Sequence, residues 1–134
     1  MDATATVLLL GRLIFGGYFV MSGIAHFRNR KAMAQYAAAK GAPASTLAVL
    51  ATGALLAAGG LSVITGILPI LGLAALAVFL VGVTPVMHAF WTIQDPMMRM
   101  AETVNFTKNV ALLGAVFALM ALPRPWQWSL PLGA

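Results

Sequence analysis

The chain has 134 residues, enough for one domain, and 61% of them are hydrophobic against 8% charged. Soluble domains carry roughly 25% charged residues, so eight bases and three acids do not make a water-facing surface of this size, and lipid is the solvent this composition demands. The net charge of +5 does not indicate nucleic acid, because the bases are few and the apolar runs are long, and the absence of cysteine excludes a disulfide framework, a thiolate metal site and thiol redox catalysis.

Hydropathy predicts four spanning helices over about 5–25, 46–67, 70–91 and 104–122, each near the roughly 20 residues that cross a hydrocarbon core. The first, "LLLGRLIFGGYFVMSGIA", has a faint signal-peptide look. Its start is acidic at Asp2 and Arg12 interrupts the run, so we read a retained span. Arg12 either snorkels to the near interface or turns inward toward an anionic or carbonyl group. The following "RKAMAQYAAAK" has high helix propensity, with Met33, Tyr36 and Ala37 on one face and Gly41 and Pro43 as a stop. It predicts a short interfacial helix, with Arg28, Arg30, Lys31 and Lys40 facing anionic lipid head groups.

Span two carries small residues four apart at Ala54, Ala58, Ser62 and Gly66, and span one carries Gly11, Gly16, Gly17 and Gly23. Such residues let helices approach closely in lipid. "ILPI" leaves room only for a tight turn at Leu68-Pro69, so spans two and three form a hairpin. The fold expected is all-α: a polytopic membrane four-helix bundle with up-down connections. Both termini then lie with the Leu68-Pro69 turn. The two longer loops lie opposite, with Arg28, Arg30, Lys31, Lys40, Arg99 and Lys108 against Arg12 and Arg124 on the terminal side. The positive-inside rule then places those loops in the cytoplasm and both termini outside. Trp91 at one end, and Trp126 and Trp128 at the other, suit the interfacial belts.

The loop side gathers the polar residues that need a reason. His26 ends span one in "GIAHF" and His88 nears the end of span three in "VMHAF", a pairing that faintly suggests an internal repeat. Pro85 frees the carbonyl of Val81 just before His88. Asp95, Glu102, Asn105, Lys108 and Asn109 follow. Three readings stay open. The histidines are interfacial and Lys108 pairs with Asp95 or Glu102; or His, Lys and Asn supply hydrogen bonds to a quinone head group beside an apolar slot; or His26 and His88 ligate a haem or share a metal.

The whole chain resembles the DoxX family of small four-helix membrane proteins. The resemblance rests on Arg12, on "SGIAHF" with Gly23 and His26, and on "KGAP" from Lys40. It extends to "GGLSVITG" in span two, His88, and "TKNVALLGA" opening span four. It implies a bacterial-type inner membrane protein with redox associations, such as thiosulfate:quinone oxidoreductase subunits and membrane-associated oxidoreductase complexes. Two features depart from the family pattern. Relatives often carry a glutamate in span two before the paired glycines, where this chain has "ALLAAGG", and a lysine where it has His26. The leading expectation is a small membrane subunit of a redox system that holds quinone or docks an oxidoreductase partner. His26, His88, Lys108, Asn109 and Arg12 are its candidate ligand-binding residues, with no metal ligands assigned, and haem is a weaker second cofactor. Any catalysis would be as an accessory subunit of a quinone-linked oxidoreductase. A ligand-free membrane scaffold or assembly factor is the main alternative and a small-solute carrier the third; the partner expected is a membrane or peripheral oxidoreductase or a second copy of the chain.

Overall fold

The computed structural model describes residues 2–131. These residues form five α-helices and one 3-10 turn: α1 (Ala3–Arg28), α2 (Arg30–Ala39), α3 (Ser45–Thr65), α4 (Pro69–Met87), η1 (Phe90–Thr92) and α5 (Pro96–Met120). No strand occurs among the described residues. Four of the helices, α1, α3, α4 and α5, are long and apolar enough to cross a membrane. The predicted fold class therefore holds.

In lipid both faces of a helix can be apolar, so greasiness does not say which side packs inward. Small and polar residues carry that information instead. On α1 the inward stripe runs through Arg12, Gly16, Phe19 and Gly23 at spacings of three and four. Gly16 and Gly23 bring the backbone against α3: an added Cβ at Gly16 would lie 2.7 Å from the carbonyl of Gly60, and one at Gly23 the same distance from that of Gly53. Gly59 performs the same service toward α4, where an added Cβ would meet Leu76. The stripe expected at Ala54 and Ala58 is displaced: both face outward, and the seam runs through Gly53, Ala57 and Gly60. Gly11 and Gly17 have open space beside them and make no seam. Around these approaches Phe19, Leu56, Val63, Leu73, Leu76, Leu80 and Val116 form the core.

The α3–α4 turn is as tight as expected. Gly66 closes α3 with a φ of 73°, a left-handed cap that glycine adopts without Cβ cost. Pro69 opens α4 at a position where its missing N–H would be unpaired anyway. Ser62 donates to the carbonyl of Ile67 at 2.6 Å and holds the turn closed.

The terminal end is organised by Arg12, which is fully buried. It does not snorkel. Its Nε donates to the Val63 carbonyl at 3.0 Å and its Nη2 to that of Ile64 at 2.7 Å. Both carbonyls belong to the last turn of α3, where no intrahelical donor remains. The Gly66 amide takes the Ser62 carbonyl and the Leu130 amide that of Thr65, so all four orphan acceptors of α3 are satisfied. Nη1 of Arg12 reaches on to the carbonyl of Gln127 at 2.7 Å, and its Cζ lies 5.6 Å from the centroid of the Trp126 ring. Trp126 is therefore a core residue rather than part of an interfacial belt, whereas Trp128 and Trp91 are exposed.

The fourth span starts earlier than hydropathy indicated. Asp95 accepts from the Met98 amide at 2.9 Å and Pro96 takes the first helical position, a start signal that Arg99 and Glu102 mask on a hydropathy scale. The loop before α5 is correspondingly short. The third span runs from Pro69 to Thr92 as expected, although its α-helix ends at Met87, where Pro85 lies in the last turn and His88 leaves the helix before η1.

Three outcomes follow for stability in detergent. Gly16→Ala should lower it by about 1–3 kcal/mol through overpacking against Gly60 and Ile64, while Gly17→Ala should leave the thermal midpoint unchanged or slightly raised. Arg12→Met should lower it by at least about 3 kcal/mol, since each hydrogen bond to a charged group contributes roughly 1.5–3 kcal/mol. The same variant should open the segment after Pro123 to limited proteolysis.

Candidate functional site

At the other end of the bundle the polar residues converge. His26 extends the inward stripe of α1 by one further step of three from Gly23. It sits where Gly53 of α3 leaves room, since an added Cβ there would lie 2.8 Å from the Cβ of His26. His88 caps α4, its amide donating to the Thr84 carbonyl at 3.0 Å. The chain then turns through η1, and Phe90 and Trp91 pack edge-on against Phe106 of α5 at 5.3 and 5.8 Å. That aromatic cluster sets α5 against the exit of α4 and brings Glu102 beside His88.

Nδ1 of His88 lies 2.6 Å from Oε2 of Glu102, with the two side chains only 20% and 13% exposed. A carboxylate accepts, so Nδ1 carries the proton. Nδ1 of His26 lies 2.8 Å from the carbonyl of Ser22; a carbonyl only accepts, so this nitrogen also carries a proton. A ring that is neutral presents a lone pair at Nε2, and neither Nε2 has a protein partner among the described residues. Fixing one ring nitrogen by an outer hydrogen bond is how proteins aim the other.

These rings stand between two cavities. The larger, about 720 Å³, is mainly apolar and is bounded by Met33 and Tyr36 of α2, Val49 of α3, Phe79 and Val83 of α4, and both histidines. The smaller, about 140 Å³, is bounded by Ser22, Phe79, Lys108, Asn109 and again both histidines. The short helix α2 was expected, and its Ala34 and Ala37 are buried against Val49; it walls the larger cavity.

Four of the five candidate residues thus meet around one small cavity: His26, His88, Lys108 and Asn109. Arg12 is not among them; its partners are the carbonyls at the opposite end. Asn109 is buried and donates to the Thr84 hydroxyl at 3.0 Å, a cross-link between α5 and α4. Lys108 is exposed and has no acidic partner among the described residues. The expected pairing with Asp95 or Glu102 is absent because Asp95 caps α5 and Glu102 is taken by His88. Glu102 was read only as a partner for that lysine. Its true place was visible in spacing, because Glu102, Phe106 and Asn109 recur at four and three along the face of α5 that meets α4. Among the described residues no three His, Cys, Asp or Glu side chains gather in a way that could hold a metal ion.

A family model described as DoxX matches residues 7–89, from the first turns of α1 to just past α4 and more than half of the chain. The residues of α5, including Glu102, Lys108 and Asn109, lie beyond that match. No curated protein and no solved structure matches the chain.

Asn109→Ala should cost about 1–3 kcal/mol by leaving the buried Thr84 hydroxyl without its donor. Lys108→Ala should leave the thermal midpoint in detergent within error of the unaltered protein.

Proposed function

The chain belongs to the DoxX family, and from that premise we propose that this multi-pass membrane protein is a small subunit of a redox system that holds a quinone or quinol head group between His26 and His88. The observation that carries the reading is the pair of anchored imidazoles facing one largely apolar cavity. Its volume of about 720 Å³ falls among small-molecule sites, which run from roughly 300 to 1,000 Å³ and combine apolar walls with a few aimed polar groups.

The residues present suit such a ligand. A neutral Nε2 accepts a hydrogen bond from a quinol hydroxyl, and a protonated one donates to a quinone carbonyl. Phe79 and Val83 offer flat apolar contact to the ring, and Met33 and Val49 continue the slot toward the place where a lipid-like tail would lie. Lys108 supplies an ammonium at the smaller cavity and favours negative charge developing on a ligand oxygen there. Asn109 serves by fixing α5 to α4, with one amide proton committed to Thr84. A bound quinone would supply two-electron, two-proton chemistry; the chain itself would bind, orient and exchange protons. The positive-inside rule puts this end in the cytoplasm, where a soluble oxidoreductase could deliver or collect electrons.

The test is binding of a decyl-substituted benzoquinone to the purified protein in phosphatidylcholine nanodiscs, together with native mass spectra of protein released from its own membranes. His26→Ala and His88→Ala should each weaken binding at least about tenfold, which is 1.4 kcal/mol. Arg12→Lys should change stability and leave binding as it is. A chain that carries no small molecule and binds no quinone would leave the ligand-free scaffold as the better reading.

A further inference from the structure

This chain has three acids, Asp2, Asp95 and Glu102. Two of them cap helices: Asp2 accepts from the Thr4 amide and Asp95 from that of Met98. Glu102 alone is not spent on a helix terminus. It lies behind His88 as seen from the larger cavity, which His88 and Tyr36 line and Glu102 does not. Its Oε2 takes Nδ1 of His88 at 2.6 Å. Its other oxygen, Oε1, lies 3.4 Å from the hydroxyl of Tyr36, a side chain that is half exposed. That distance is too long for a strong hydrogen bond; it marks where the carboxylate approaches the loop-side surface. Glu102 thus stands behind His88 as seen from the cavity and reaches Tyr36, a half-exposed side chain of the loop-side helix α2.

We infer that His88 and Glu102 form a proton path between the cavity and the loop-side surface, with Glu102 as the carrier that exchanges with water. The inference rests on the quinone reading for what occupies the cavity, but it concerns the chain's own groups. His88 accepts a proton at Nε2 and gives up the one at Nδ1 to Oε2 of Glu102. The imidazole is neutral before and after, with its proton moved from one nitrogen to the other. The carboxylate becomes a neutral acid until it releases the proton beside Tyr36. The path resets when the ring rotates so that its protonated nitrogen again faces Glu102 and its bare nitrogen the cavity, and the reverse sequence brings a proton in. Electrons take no part in the path; they pass between the ligand and a partner protein.

The groups facing Glu102 are few. His88 from the exit of α4, and Tyr36 and Lys40 from the end of α2, act on it, and the Lys40 ammonium also lies 5.4 Å from the Tyr36 ring centroid. On its own helix Arg99 is turned away, donating to the carbonyl of Ile93 at 2.6 Å. An intramembrane carboxylate is a natural proton carrier. Span two has no acid in this chain. Here a carboxylate from α5 stands behind His88, set back from the cavity lining.

Glu102 is the only glutamate in the sequence, so labelling with glutamate that carries ¹³C at the δ-carboxyl marks a single side-chain carboxyl. The experiment is redox-difference infrared spectroscopy of decylbenzoquinone-loaded protein in phosphatidylcholine nanodiscs, cycled by an electrode with a soluble mediator. Quinone binding is measured in parallel. The expected result is a carboxylic-acid band that changes on cycling, shifts with the label and vanishes in Glu102→Gln, while that variant still binds quinone. Gln keeps an acceptor for Nδ1 and so preserves the contact without the titrating group. Glu102→Asp should restore a band that no longer responds to the glutamate label. Quinone binding without any label-sensitive band overturns the proton path and leaves the quinone reading standing. Loss of binding in both Glu102→Gln and Glu102→Asp overturns it too, making Glu102 a positioning residue for His88. Failure of the unaltered protein to bind quinone overturns both.

Discussion

The approach of α1 to α3 is the constraint on which the rest depends. Glycine against glycine at residues 16 and 60, and glycine against glycine and alanine at 23, 53 and 57, lets two backbones come together with nothing between them. Lipid provides no hydrophobic drive for helices to associate, so close backbone packing has to supply much of the cohesion. The seam also fixes what happens at its ends. At one end it carries Arg12 onto the final carbonyls of α3. At the other it seats His26 over Gly53 and so sets one of the two imidazoles at the cavities. A slip of one residue along α1 would rotate both side chains by about 100° and undo the two ends together.

The second imidazole is held by different means. Pro85 ends the regular course of α4, His88 caps it, and the Phe90, Trp91 and Phe106 cluster ties the following turn to α5. Asn109 and Thr84 add a polar cross-link two turns below Glu102. The two histidines thus arrive from different helices, α1 and α4, by independent routes. α2 closes the space beside them, and it can do so because its buried residues are alanines that let it lie close on α3.

Much of this was legible in the sequence, and the failures have physical causes. Span number, the α3–α4 turn and α2 followed from hydropathy, Leu68-Pro69 and the alanine-rich segment. The convergence of His26, His88, Lys108 and Asn109 followed from their common level. The wrong seam was chosen at Ala54 and Ala58 because small residues recur on several faces of α3, and sequence alone does not say which face meets a neighbour. The inward turn of Arg12 was encoded in its register with Gly16, Phe19 and Gly23. Its partners, however, are backbone carbonyls, which carry no residue-type signal. The role of Glu102 was hidden for a related reason: a single acid near the end of an apolar run reads as interfacial until the path of the chain through η1 is known.

The buried guanidinium also bears on how the chain comes to be inserted. Arg12 lies near the beginning of the chain, yet its acceptors come from the end of α3 and from Gln127. During synthesis the first span therefore meets the bilayer with a charge whose partners have not yet been made. Water, head groups or the insertion machinery must shelter it until α3 is in place, and the third acceptor arrives only after α5 has crossed. Completion of α5 is thus the event that retires the unpaired charge of α1. A chain stalled before that point would expose an arginine where quality control could find it.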